Sequence, residues 1–429
     1  MGRKISAQGN MTNKIKTIGD VVSRQLCVGC GACAFAEPER FRMADAPDHG
    51  RRPFLRDDAI PESGDALSVC PGISLEHDFD RNSPSLDADL LDGWGPILSV
   101  WEGYAADPEI RLGGSSGGAA TALALYCLEQ EDVDSVVHTA ASLTQPYMNA
   151  TVVSKSKSDL MKTTGSRYAP ASPCDGLSKI LFSEKKGVFI GKPCDVAAVR
   201  KAEKLRPDLK EKLALTIGFF CAGVPSTQGN LALAQRMKAP TPEAITSLRY
   251  RGNGWPGLWR MEYKTADGQT GHGELTYAES WGYLQQFRQW RCYICPDHTG
   301  EFADIAVGDP WYRNVEPGEP GKSLIVARTA RGKEFIERAS KAGYITLETQ
   351  NNALLPRSQP NLMQTRGSIW ARLLVLRLLG APYPQYRGFR FFRFWLRELK
   401  CVAKLKSFSS VLKRVSSKKL LNRVDVREG

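Results

Sequence analysis

Histidine is scarce in this chain: five residues in 429, at 49, 77, 138, 272 and 298. There is no H-E-x-x-H run, so a helical two-histidine zinc site of the metalloprotease kind is excluded. No Ser-His-Asp constellation stands out, which argues against a serine hydrolase. Long apolar runs are missing too. No stretch approaches the roughly 18 uncharged apolar residues of a membrane span. The opening residues, MGRKISAQGNMTNKIK, lack the apolar core of a signal peptide, so a cytoplasmic protein is expected. The glycine- and serine-rich turn RLGGSSGGAATALALYCL (111–128) is neither GxGxxG nor GxxxxGK[ST], and there is no internal repeat.

Cysteine, in contrast, is plentiful. Eleven lie at 27, 30, 33, 70, 127, 174, 194, 221, 292, 295 and 401. A reducing compartment disfavours disulfides, and clustered thiols then point to metal or redox chemistry. The run LCVGCGACAFAEP (26–38) places Cys27, Cys30 and Cys33 at Cys-x2-Cys-x2-Cys spacing, as at the start of a bacterial ferredoxin run. The expected Cys-Pro does not follow, because Glu37-Pro38 stands there. Three further motifs carry cysteines at strand ends or in glycine- and proline-flanked loops: GKPCDVAAVRKA (191–202), GFFCAGVPS (218–226) and RCYICPDHTGEFADIAVGDPW (291–311). Cys194, Cys221, Cys292 and Cys295 together supply enough thiolates for a four-iron site. Four thiolates also suit zinc, and buried structural thiols are common.

Strands alternating with helices between Trp101 and about Ser247 predict an α/β core. ILSVWEGYAA, VDSVVHTA, ATVVSKS, KGVFIGKPC and LALTIGFFCAG read as strands. AATALALYCLEQ and DVAAVRKAEK read as helices. SLRYRGNGWPGLWRMEYKT reads as a hairpin with a glycine-proline bend. SLIVARTARGKEFIERASKAGYITLET reads as strand, helix, strand. The fold class is therefore mixed α/β in four stretches. Residues 1–95 form a small module organised by its metal, 96–245 an α/β domain, 246–365 a second part completing the site, and 366–429 a basic helical tail.

Charge is unevenly placed. The chain carries a net +12, and from Tyr386 onward thirteen Lys or Arg face three acids, giving +10. The body lacks a nucleic-acid footprint, and no nucleic acid partner is expected. Trp370, Phe391, Phe392, Phe394 and Trp395 interleave with arginines in the tail. That composition suits a helix on an anionic membrane surface, and equally a terminal helix packed on the protein with a solvated basic end.

The motifs LGGSSGGAATAL, GSRYAP, GKPCDVAAVR and CYICPDHTGEFADIAVGD resemble the coenzyme F420 hydrogenase/dehydrogenase beta-subunit family, which includes ferredoxin-dependent tetrapyrrole reductases. The resemblance spans roughly residues 26–365. It implies FAD and one or more [4Fe–4S] clusters, with Cys194, Cys221, Cys292 and Cys295 holding a cluster beside the flavin. It also suggests Cys70, in SVCPGI, as the displaced fourth ligand of a first cluster with Cys27, Cys30 and Cys33. Iron is favoured over zinc at both sites. The glycine-serine turn would place Ser115, Ser116, Gly117 and Gly118 at the flavin, where a helix N-terminus meets phosphate. Ser166, Arg167 and Tyr168 would join them, with Arg167 gripping a pyrophosphate bidentately. Lys192 would approach the isoalloxazine and favour a reduced anionic flavin. Asp309 would accept from ribityl hydroxyls or from backbone near the cluster, or simply cap its turn. Trp255 would stack on a planar substrate or flavin, or pack in the core of its hairpin. His298, by its position three residues after Cys295, reads as a proton donor or as a residue packed behind the cluster or on the surface. No catalytic residue is assigned.

The implied activity is an oxidoreductase moving electrons from ferredoxin or F420 through two [4Fe–4S] clusters and FAD to a small organic acceptor. F420 itself is a candidate donor or acceptor, and a tetrapyrrole or a lipid-linked saccharide precursor are candidate acceptors. The alternatives are a non-catalytic electron-transfer subunit of a larger complex and a zinc-stabilised interaction protein. Peripheral contact of the tail with the inner face of the membrane is a further expectation.

Overall fold

Period-two alternation decides which faces the central strands bury. Val136 and Val188 belong to one buried cluster, while their neighbours Val137 and Phe189 belong to another on the opposite face. Strands apolar on both sides must lie between two layers. The computed structural model, which describes residues 15–429 apart from 57, 59, 315 and 317, has that arrangement. The polar stretch through residue 14 lies outside the described residues.

In chain order, β1 (Phe41–Ala46) and β2 (Gly50–Leu55) form an antiparallel pair, followed by β3 (Ser74–Glu76). The central strands β4 (Ser99–Ala105), β5 (Val133–Ala141), β6 (Asn149–Ser154), β7 (Lys186–Gly191) and β8 (Leu213–Phe219) come next. Helix α1 (Ala119–Gln130) leads into β5, and α2 (Pro193–Leu205) lies between β7 and β8. A separate antiparallel sheet holds β9 (Ile245–Arg249), β10 (Leu258–Lys264) and β11 (Thr270–Thr276). The chain then returns with β12 (Ile305–Gly308), β13 (Ser323–Ala327), α3 (Ala330–Lys341) and β14 (Ile345–Gln350).

Eight of these strands make one mixed sheet in the order β14-β4-β13-β12-β8-β7-β5-β6. Its centre, β12-β8-β7-β5, is parallel, and both flanks are antiparallel. The sheet runs across residue 246, so the stretches on either side share a core. Helices α1 and α3 cover one face through Leu123, Tyr126, Phe335 and Ile336. Helix α2 covers the other through Val196, Val199 and Ala202. Each fully buried Val or Phe here contributes about 1.5–3 kcal/mol.

The parallel centre positions the chemistry. Lys192 and Cys194 follow the carboxyl end of β7, Cys221 follows β8, and Asp309 follows β12. Ligands of open α/β sheets bind outside the carboxyl ends of parallel strands.

The basic tail folds back on the N-terminal module. It comprises α4 (Ile369–Leu378), β15 (Gln385–Arg387), α5 (Phe391–Glu398) and α6 (Cys401–Ser417). Strand β15 pairs in parallel with β3. Val411 and Val415 of α6 pack with Val375 and Leu376 of α4 and with Val21, Leu26 and Cys27. The last residue's N–H donates to Asp45 O at 3.0 Å.

Candidate cofactor cavity and thiol tetrads

A cavity of about 940 Å³ opens beyond the strand ends. That is the upper end of the usual range for small-molecule sites. Eight of the nine expected flavin-site residues line it: Ser115, Ser116, Gly118, Ser166, Arg167, Tyr168, Lys192 and Asp309. Gly117 stands behind them against the Lys322 backbone. Arg167, Lys192, Arg251, Arg288 and Arg357 line the cavity with only Asp195 and Asp309 as acids. This excess of positive charge suits an anionic ligand.

The glycine-serine turn is held from several sides. Ser166 N donates to Ser115 Oγ at 2.6 Å, and Arg251 Nη2 donates to Ser115 O at 2.7 Å. Gly118 has φ +71°, and a Cβ there would lie 2.4 Å from Ile110 O, so only glycine fits. It precedes α1, which has no side-chain cap. The first N–H groups of this twelve-residue helix are left for a ligand, and Ala119, Ala120 and Thr121 line the cavity.

Arg167 is used differently from the expectation. Its guanidinium donates to Asn149 Oδ1, Leu248 O, Pro146 O and Met148 O at 2.6–3.0 Å. Four of its five donors are spent, so no bidentate grip on a pyrophosphate remains. Lys192 is buried beside Asp195, donating to Oδ2 at 2.6 Å. Pro193 opens α2 and Asp195 accepts from the Lys192 backbone N–H at 2.9 Å, which fixes both residues at the strand end. Burial opposes the lysine's charge, but Asp195 and the neighbouring thiols outweigh it and raise its pKa. Asp195 Oδ1 is buried without a partner.

Asp309 is held by a residue that the sequence reading did not single out. Arg251, almost fully buried, donates to both its oxygens at 2.6 and 3.0 Å, and Trp255 Nε1 donates to Oδ1 at 2.9 Å. Trp255 packs on Trp311 and does not line the cavity. An arginine beside a glycine-rich turn was the available signal. Tyr277 stacked on Trp311, together with Trp281, adds an aromatic wall. The segment from Arg357 to Thr365 adds a polar one. Asp304, five residues before Asp309, does not line the cavity and is buried with Thr216, Arg200 and Arg331.

Cys194, Cys221, Cys292 and Cys295 surround a second, small cavity of about 30 Å³. It shares Cys221, Gly223, Val224 and His298 with the large one. Val224 N donates to Cys292 Sγ at 3.5 Å, and the Gly223 N–H donates to Cys221. Burial pushes the Cys221 thiol up to about 12. His298 Nδ1 donates to Cys221 O at 2.9 Å, and burial lowers the ring's pKa to about 4, so it stays neutral.

Burial raises the pKa values of Cys27, Cys33 and Cys70, and the nearby Cys30 adds to each, whereas hydrogen bonding with Cys174 lowers that of Cys30 itself. Cys27, Cys30, Cys33 and Cys70 each accept a backbone N–H, from Gly29, Ala32, Ala34 and Gly72 respectively. Gly31 makes this loop fit: its φ is +92°, and a Cβ would lie 2.8 Å from Ser172 O and Asp175 N. Burial and neighbouring thiols push Cys70 up to about 12. Buried thiols of this kind ionise only beside positive charge. Backbone N–H groups aimed at sulfur are features of iron–sulfur sites, so the donor sets fit clusters. Among the described residues no three His, Cys, Asp or Glu converge as a single ion requires.

The tetrads are linked. Arg291, buried between Trp290 and Cys292, donates to Pro71 O next to Cys70 at 3.1 Å. Cys174, also absent from the expected site residues, is hydrogen-bonded to Cys30, and its thiol donates to Asp195 O at 3.4 Å.

Residues 100–178 match the N-terminal part and 184–353 the C-terminal part of the coenzyme F420 hydrogenase/dehydrogenase beta subunit. Among curated relatives, the coenzyme F420 hydrogenase subunit beta of Methanosarcina barkeri is 26% identical over 58% of this chain and 81% of its own. The F420-dependent formate dehydrogenase 1 subunit beta of Methanococcus maripaludis is 25% identical over 69% of this chain and 72% of its own. A chain of the solved F420-reducing [NiFe] hydrogenase complex from Methanosarcina barkeri is 21% identical. That match covers 64% of this chain and 92% of the other, with a TM-score of 0.49.

Proposed function

As the chain belongs to the coenzyme F420 hydrogenase/dehydrogenase beta-subunit family, we propose that it is an iron–sulfur flavoprotein oxidoreductase. It carries electrons from ferredoxin or F420, through two [4Fe–4S] clusters and FAD, to an organic acceptor. The observation carrying this reading is the shared wall at Cys221, Gly223, Val224 and His298. There, a four-thiol cavity abuts a large cationic cavity.

Bound FAD would supply the exchange between one-electron and two-electron transfer. The chain's residues do the rest. The N–H groups of the first turn of α1 hold the phosphates. Arg251 fixes Asp309, which faces the cavity. Lys192 holds positive charge at the end of β7, on the side of Cys194 and Cys221. Neutral His298 keeps the Cys221 loop in place through its carbonyl. Cys27, Cys30, Cys33 and Cys70 ligate one cluster, and Cys194, Cys221, Cys292 and Cys295 the other.

Iron, sulfide and flavin analysis of anaerobically purified protein tests this. Two four-iron clusters and one flavin require about eight iron, eight sulfide and one FAD. Cys70→Ala is expected to lose half the iron and keep the flavin. Full iron in that variant sinks the Cys70 assignment, and colourless protein holding zinc sinks the mechanism.

A second reading, an electron-transfer subunit without chemistry of its own, is favoured by the relatives' names, which are those of subunits. Stable co-purification with a redox partner and no turnover alone would select it. A cytoplasmic location, with the basic tail touching the membrane, completes the proposal. Among the described residues no helix is long and apolar enough to cross a membrane.

A further inference from the structure

Exposed large apolar side chains are not spread evenly over this molecule. Among the described residues eight of thirteen fall between Leu378 and Leu421, a small fraction of the chain. Five of them stand on the outer sides of α5 and α6: Phe392, Leu396, Val402, Leu405 and Leu412, each 49–73% exposed.

The two helices are firmly seated, so these residues do not belong to a loose end. Phe391 and Phe394 of α5 are buried, as are Ser407, Val411 and Val415 of α6. Trp370, Phe392, Trp395 and Phe408 form an aromatic seam with ring centroids 4.6–6.2 Å apart. Lys404 Nζ donates to Leu396 O at 2.8 Å and joins the two helices. At about 100° per residue, Val402, Leu405, Ser409, Leu412 and Ser416 make one stripe, opposite the buried one. Helix α6 therefore has two apolar faces, and only one of them is covered.

The charge around the open face has one sign. From Phe391 to Lys419 there are nine Lys or Arg and one acid, Glu398. Arg397, Lys400, Lys406, Lys413 and Lys419 are exposed, and among the described residues none lies within ion-pair distance of a carboxylate. Lys406 and Lys413 run along one border of the stripe. An apolar strip edged by unpaired cations is the pattern of a helix lying in the headgroup region of an anionic bilayer.

We infer that the outer face of α5 and α6 docks this protein on an anionic lipid bilayer, with α6 lying in the plane of the surface. Phe392, Leu396, Val402, Leu405 and Leu412 enter the interface, and the basic side chains meet the headgroups. The inference rests on the peripheral-membrane part of the proposed function and not on the cofactors. It also deepens that part, because the tail needs no refolding to bind: its other face already holds it to the N-terminal module.

The test is co-sedimentation of the full-length protein with vesicles. Phosphatidylcholine vesicles containing about 30% phosphatidylglycerol are compared with pure phosphatidylcholine, at about 0.1 M and about 1 M salt. At least about tenfold tighter binding to the anionic vesicles, falling several-fold at high salt, is expected. Leu405→Glu with Leu412→Glu should reduce binding about tenfold or more. Lys406→Gln with Lys413→Gln should reduce the anionic preference with the apolar face intact, which covers the case of a misfolded first variant. Circular dichroism and the visible spectrum report folding and cofactor content separately, so failure of the flavin reading and failure of docking are distinguishable. No binding to anionic vesicles overturns the inference. So does binding that both double variants leave unchanged. A dimer in light scattering that Leu405→Glu with Leu412→Glu converts to monomer, without vesicle binding, would assign the face to a second copy.

Discussion

Glu301 sits where three parts of the chain meet, and its neutralisation should be costly. Its buried carboxylate accepts from Arg366 of the tail and from His77 Nε2 of the N-terminal module at 2.8 Å. His77 is stacked on Phe302 with centroids 4.4 Å apart. Burial by itself would raise the carboxyl's pKa, but Arg366, His77 and Arg328 more than offset it and hold it at about 2, against an ordinary 4.5. At about 1.36 kcal/mol per pH unit, this gap corresponds to about 3 kcal/mol of stability. Breaking a buried pair from one side costs about 3–5 kcal/mol by a separate argument, because Arg366 stays buried without a counter-charge. Glu301→Gln is therefore expected to lose about 3–5 kcal/mol at neutral pH.

The pH dependence has a definite sign. A depressed folded-state pKa stabilises fully above the unfolded value, and this contribution is lost as pH falls from about 4.5 to about 2. Asp304, also held at about 2, by Arg200 and Arg331 against burial, fades over a similar window. The wild-type-minus-variant difference therefore isolates Glu301. The assay is urea unfolding of both proteins, followed by tryptophan fluorescence, in steps from pH 7 to about pH 3. A neutral-pH loss below about 1 kcal/mol, or a gap that does not narrow in acid, would refute the reasoning.

Two further substitutions probe the large cavity. Gly118→Ala forces a Cβ to 2.4 Å from Ile110 O at positive φ. It should reduce FAD retention on gel filtration about tenfold while iron content holds, and an unchanged flavin stoichiometry would count against the α1 phosphate site. Lys192→Gln should lower the two-electron flavin potential, by about 30 mV for each 1.4 kcal/mol of lost stabilisation of the reduced anion. Spectroelectrochemical titration measures this, and an unmoved potential would place Lys192 away from the flavin ring.

The local features were legible because each has a short-range cause. Apolar runs of strand length marked β4, β5, β7 and β8. The glycine-serine turn before AATALALYCLEQ marked the start of α1. Cysteines beside glycine and proline marked loops that approach sulfur closely. None of this needed knowledge of which strands pair.

What the sequence could not supply was long-range pairing and burial. Arg251 reads as one arginine among many until β9 and β12 bring it against Asp309. Arg167 reads as a phosphate ligand until the fold closes backbone carbonyls around its donors. No motif singles out Cys174 until Gly31 packs against Ser172 and Asp175 and sets it beside Cys30. The tail's composition allowed both a packed helix and a membrane helix. The fold decides that α6 is packed along Val411 and Val415 and open along Leu405 and Leu412. Residue types and spacing determined which chemistry this protein can hold. Only the tertiary structure decided which groups are spent on the fold and which face an open cavity or surface, because that depends on partners distant in the chain.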